Sequence, residues 1–115
     1  MDDEPLVLSG VSMLLESIGH TVDQATHGDE VLEKVRGGSE YDLAILDLTV
    51  RQGRGADEIA RPLGELSPQM QLIVTSGYDG DDVLANHRAH GFHGSLPKPF
   101  TLDELRATIA RLFAD

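Results

Sequence analysis

The sequence predicts an α/β domain, a parallel sheet with right-handed crossovers and helices on both faces. Three observations predict it. Tyr41-Asp42-Leu43-Ala44-Ile45-Leu46-Asp47-Leu48 is a short apolar run closed by an acid. Such a run reads as a strand buried on both faces, as in a parallel sheet. Strand-like and helix-like patterns alternate along the chain, the order that builds parallel sheets. Three strands end in a polar residue followed by a loop, at Asp47, Ser76 and Lys98. In a parallel sheet those ends share one edge, and that edge is where open α/β sheets bind ligands.

The elements follow in order. Asp2-Asp3-Glu4 precedes Pro5, which suits a first helical turn, and acids there favour the helix dipole. Leu6, Val7, Val11, Leu14, Leu15 and Ile18 recur at helical spacing, so a helix is expected from Pro5 to about Ile18, stopped by Gly19. His20 to Ala25 reads as a weak strand through Val22 and Ala25. Gly28 to Arg36 is a short helix ended by Gly37-Gly38, and the strand that ends at Asp47 comes next. Residues 49–55 form a loop. Ala56 to Leu66 is helical in pattern, although Pro62 should kink or shorten it. Leu72-Ile73-Val74-Thr75-Ser76 is a second buried strand, followed by a loop over Gly77–Gly80. A helix from Asp81 to His90 closes at Gly91. Phe92 to Leu96 is a short strand running into Pro97-Lys98-Pro99. Thr101-Leu102-Asp103-Glu104 is a capping box that opens a final amphipathic helix.

Composition narrows the function. The 115 residues suffice for one domain with one core, and 40% of them are hydrophobic. Twenty acids stand against nine Lys and Arg, a formal net charge of −11. That argues against nucleic acid and anionic membranes, which require basic patches. It suits a divalent cation or a basic partner. There is no cysteine, so disulfides and thiolate metal sites are excluded. No apolar stretch approaches the roughly 20 residues that span a bilayer. No signal peptide is visible, so a cytoplasmic location is expected.

Asp47 needs cations or donors, because burying an unpaired carboxylate is costly. If a strand preceded Asp2-Asp3, that pair would sit on the same edge and crowd three carboxylates. Oxygen ligands of this kind suit Mg²⁺. An aspartate can also act as a nucleophile and form an acyl phosphate. Its phosphoryl oxygens would need Mg²⁺, a cation such as Lys98 and a hydroxyl such as Ser76. His87, His90 and His93 resemble a metal cluster, but only His87 and His90 are helical neighbours. An exposed face is the expected reading.

The order Asp-Asp-Glu, Leu-Asp-Leu, Thr-Ser-Gly and Lys-Pro-Phe resembles the receiver domain of two-component response regulators. The resemblance runs from Asp2 to the end of the chain. Asp-Leu-Thr-Val, Ser-Gly-Tyr and Ala-Asn-His-Arg-Ala-His-Gly-Phe look like the receivers attached to hybrid sensor histidine kinases. The resemblance implies a flavodoxin-like doubly wound sheet, with residues 1–115 as a single receiver domain and no output domain. Asp47 is then the phosphoacceptor, taking a phosphoryl group from a phosphohistidine with Mg²⁺. Asp2, Asp3 and Asp47 would hold the metal, with the backbone carbonyl of Thr49. Ser76 would be the switch hydroxyl and Lys98 the phosphate-binding lysine. Lys98-Pro99 would be a cis peptide. Ser95 stands where the family carries an aromatic switch residue. The implied partner is a sensor histidine kinase or histidine phosphotransfer protein in a phosphorelay. Turnover would be limited to self-phosphorylation and autodephosphorylation on Asp47.

The family has a hydrophobic strand before the acidic pair, and here Met1 takes the place of that strand's last residue. Three explanations offer themselves. The start lies inside a longer protein, which is favoured. A partner chain supplies the strand, for instance by strand exchange in a homodimer. Or the flanking strands pair directly. Two rival functions remain: a receiver-like docking or dimerisation module without phosphotransfer, and a small aspartate-based phosphohydrolase. The latter ranks last, because Leu48 and Thr49 supply no second acid after Asp47.

Overall fold

The structure is a computed structural model and describes residues 1–77 and 82–114. The loop expected over Gly77–Gly80 lies outside it except for Gly77, and so does Asp81. Three parallel strands form the sheet in the order β1 (Leu43–Asp47), β2 (Gln71–Ser76), β3 (Gly94–Pro97). The register sets Asp47 beside Thr75 and Ser76 beside Pro97, so all three expected strand ends fall on one edge.

Side chains alternate across the strands and feed two cores. On one face Leu46, Leu72 and Val74 pack with Leu32 of α2 (Gly28–Arg36) and with Ile59 and Leu63 of α3 (Ala56–Leu66). On the other, Ile73 and Leu96 pack with Leu105 and Ile109 of α5 (Leu102–Leu112). Leu14, Leu15 and Ile18, from α1 (Pro5–Ser17) and its end, close that second core. Helices therefore cover both faces, as expected.

Local signals account for most boundaries. Thr101 accepts from the Glu104 N–H at 3.1 Å while Glu104 accepts from the Thr101 N–H at 3.1 Å, the anticipated capping box. Pro62 lies inside α3 without shortening it, since the helix keeps its whole expected range. Gly28 opens α2 where the chain runs hard against its neighbour. Its N–H donates to the Arg54 carbonyl at 2.7 Å, and a Cβ there would meet that oxygen at 2.6 Å.

Two expectations are corrected. The Asp81–His90 helix is two pieces, α4 (Asp82–Ala85) and a 3₁₀ turn at His87–His90. Asn86 breaks them with φ −120° and ψ 43°, outside the helical region. Residues His20–Ala25 form no strand. A strand exists through its ladder, and this segment's described ladder contact to the sheet side is one bond, from the Asp2 N–H to the Ala25 carbonyl at 3.1 Å. Direct pairing of the flanking segments, one of the three explanations for the missing strand, is therefore not what the chain does. Among the described residues no helix is long and apolar enough to cross a membrane.

Candidate functional site

Asp47 ends β1 and is buried, with 2% of its surface exposed. Asp2 is buried as well, although it lies next to the first residue. What holds it there is backbone. The Met1 α-ammonium donates to the Ile45 carbonyl at 2.6 Å, and the Asp47 N–H donates to the Met1 carbonyl at 3.0 Å. Met1 thus takes one rung of a parallel ladder on the free side of β1. The next residues, Asp2 and Asp3, are delivered beside Asp47. Carboxylate oxygens of Asp2, Asp3 and Asp47 all lie within 4.8 Å of one another.

Each acid is oriented. Asp2 accepts from the Glu4 N–H at 3.0 Å, which also steadies the entry to α1. Asp3 accepts from the Arg51 N–H at 2.9 Å, so the loop after β1 closes over the pocket. Asp47 accepts from the Thr49 N–H at 3.4 Å. Lys98, just past β3, reaches both buried acids, with Nζ 2.7 Å from Asp2 and 3.2 Å from Asp47. The Lys98 N–H donates to the Ser76 carbonyl at 2.8 Å, which ties the lysine to the end of β2. Ser76 itself is buried. The Lys98–Pro99 peptide is cis, as expected.

The electrostatics follow from crowding. Burial, then the charge of Asp2, push the Asp47 carboxyl above the usual range, against the opposing pull of Lys98 and the Thr49 N–H. For Lys98 burial works against the charge. The hydrogen bond to Asp2 and the charge of Asp47 outweigh it and raise its pKa. Burial depresses the Met1 ammonium to about 6. Three carboxylates against one lysine leave the pocket short of positive charge. Hard oxygen donors with an excess of negative charge are the donor set that Mg²⁺ takes. The residues present therefore fit that ion.

His90 and His93 are exposed and His87 is half-buried. His93 Nδ1 accepts from the Leu72 N–H at 2.9 Å, and His90 pairs with Asp82 at 3.2 Å. Among the described residues the single group of acids and histidines close enough to share a metal is Asp2, Asp3 and Asp47. Sequence reading missed two contributors, the Met1 ladder rung and the Arg51 N–H. Both act through backbone, which leaves no side-chain signature.

A parallel sheet covered by helices on both faces, with clustered acids, a hydroxyl and a lysine at its carboxyl edge, has the architecture of a receiver domain. Comparison with known proteins agrees. The family model described as "Response regulator receiver domain" matches residues 1–110. The chain belongs to that family, a component of two-component systems. It is 34% identical over 113 residues to sensor kinase CckA of Brucella abortus, covering 97% of this chain and 12% of that protein. It is 29% identical over its full length to the transcriptional regulatory protein CrdR of Helicobacter pylori, of which it spans 54%. The chain thus spans about half or less of these relatives. Among solved structures, a response regulator receiver protein from Sinorhizobium medicae superposes with a TM-score of 0.83 at 25% identity, covering 96% of this chain and 88% of that one. A receiver domain protein from Clostridium thermocellum gives 0.85 at 26%, with the same coverages.

Proposed function

We propose that Asp47 accepts a phosphoryl group from a phosphohistidine on a sensor histidine kinase or a histidine phosphotransfer protein. The observation that carries this reading is the sharing of Lys98 between buried Asp2 and Asp47, at 2.7 and 3.2 Å. That geometry leaves a cation beside the nucleophile and a carboxylate pair short of positive charge.

In the reaction an Asp47 carboxylate oxygen attacks phosphorus. The phosphorus–nitrogen bond breaks, and the nitrogen leaves with the electron pair. Asp47 must be ionised to attack, and Lys98 favours that form. Lys98 also offers its ammonium to the phosphoryl oxygens, where charge must be met. Asp2, Asp3, Asp47 and the Thr49 carbonyl would hold Mg²⁺, which supplies further charge neutralisation when bound. Ser76, buried at the end of β2, would meet the acyl phosphate and pass its presence to the segment that follows. A receiver acting this way shifts a pre-existing equilibrium rather than creating a new state. This reading treats the chain as a receiver domain working in the cytoplasm.

The test is intact mass after incubation with Mg²⁺ and phosphoramidate, whose phosphorus–nitrogen bond mimics phosphohistidine. One added phosphoryl group on the parent and none on Asp47→Asn is expected. A folded parent that gains nothing refutes phosphoacceptance.

A further inference from the structure

The loop after β1 has little apolar surface to hold it. Between Thr49 and Gly55 the one apolar side chain is half-buried Val50, and Arg51, Gln52 and Gly53 are exposed. Two backbone groups of this loop nonetheless face the acids. The Thr49 N–H donates to Asp47 at 3.4 Å and the Arg51 N–H to Asp3 at 2.9 Å. What fixes the loop lies at its far end, on the entry to α2. The Gly28 N–H donates to the Arg54 carbonyl at 2.7 Å, and Arg54 Nε donates to Asp29 Oδ1 at 2.7 Å. Gly53 has φ +86°, and a Cβ there would meet His27 Cβ at 2.8 Å, so its backbone lies directly against that side chain. The same entry segment holds the other side of the pocket, because the Ala25 carbonyl accepts the Asp2 N–H at 3.1 Å.

We infer that Asp29 and Arg54 are positioning residues for the acidic pocket: their ion pair clasps the loop to α2 and keeps the Thr49 and Arg51 backbone over Asp47 and Asp3. The inference rests on the proposed role of that pocket in holding Mg²⁺ and deepens it. Among the described hydrogen bonds and ion pairs, neither side chain reaches Asp2, Asp3 or Asp47. They act through the loop. A segment with glycines at 53 and 55 loses much backbone entropy when it closes. If it opens, a cation meets its full ligand set only in the closed fraction, and the apparent affinity falls by that fraction. Both side chains are 42% exposed, so water screens the pair. Its hold is that of a surface ion pair, up to about a fivefold shift between closed and open loop. Charge alone makes opposite demands on the two residues. Losing Arg54 removes positive charge and by itself tightens cation binding, whereas losing Asp29 by itself weakens it. Losing both cancels the charge effect and leaves the clasp.

The test uses the unphosphorylated chain and two NMR readouts, the Mg²⁺ Kd from a titration and the exchange rate of the Arg51 amide without metal. The proteins are the parent, Arg54→Gln, Asp29→Asn, the double variant and Arg61→Gln, which removes a 91% exposed arginine from α3 instead. All three clasp variants are expected to speed Arg51 exchange about two- to fivefold, and the double variant to raise the Mg²⁺ Kd by the same factor. The double variant should exchange no faster than either single, since each breaks the same pair. Arg61→Gln should leave Arg51 exchange unchanged. A double variant with the parent's Kd overturns the inference, even if its melting temperature falls, because the pair would then be structural only. So does Arg51 exchange that stays at the parent's rate in the clasp variants. A parent that binds no Mg²⁺ refutes the metal reading of the pocket, and Arg51 exchange still decides the clasp. Neither readout involves phosphoryl transfer, so failure of the clasp leaves the Asp47 reading standing.

Discussion

Lys98→Met is the most informative single change. Methionine keeps most of the side chain's apolar stem and removes its charge. Lys98 is about one-fifth exposed, and its partners Asp2 and Asp47 are 7% and 3% exposed at the side chain. Breaking a buried ion pair by removing one partner costs about 3–5 kcal/mol, because the other charge stays buried. Partial exposure of the lysine lowers this, so a loss of about 3 kcal/mol at neutral pH is expected in the absence of Mg²⁺. The pH dependence has a definite sign. Without the opposing pull of Lys98 the Asp47 carboxyl, already raised by burial and by Asp2, rises further above its unfolded value. The loss is therefore full above the raised folded value, fades as the pH falls from there and is gone below the unfolded value of about 4. Urea unfolding at about pH 7 and pH 4 measures both quantities. Asp47→Asn removes one of the stranded charges, so it should recover more than half of the loss in the Lys98→Met background. It should also stabilise the parent, whose Asp47 is held above its ordinary pKa by burial and Asp2. A loss below about 1 kcal/mol that does not change with pH would place Lys98 among solvated surface lysines and refute the reasoning.

Three further outcomes are expected. The Met1 ammonium is depressed to about 6 from its ordinary 8.0. The unfolded chain then binds more protons between those values, and stability should climb from pH 6 to pH 8 by at most about 3 kcal/mol. An amino-terminally acetylated chain should lack that climb in urea titrations, and an identical slope would rule the ammonium out. Gly28→Ala places a Cβ 2.6 Å from both the Arg54 carbonyl oxygen and Ile59 Cγ2. One of those contacts is backbone, so a loss of about 1–3 kcal/mol in chemical denaturation is expected. Thr101→Ala removes the side-chain oxygen that caps α5 at Glu104. It should cost about 1 kcal/mol by thermal unfolding and leave Asp47 phosphorylation unchanged.

The sequence by itself determined the alternation of strands and helices, the α5 cap and the polar ends of three strands. These are local properties. Leu72–Ser76 is buried by its own composition, and Thr101 with Glu104 caps a helix through bonds three residues apart. Asp47, Ser76 and Lys98 were legible as a set, because parallel strands must bring their carboxyl ends together. Only the tertiary structure decided that His20–Ala25 is not a strand, since strand character depends on a neighbour that no local pattern encodes. Only it put Asp2 in the pocket, through bonds between Met1 and residues 45 and 47 on a strand 44 residues away in sequence. The sharing of Lys98 between Asp2 and Asp47 is of the same kind, joining side chains 96 positions apart. Periodicity reports which face of an element is buried. It does not report which distant backbone or charge lies against that face, and in this protein those distant contacts build the site.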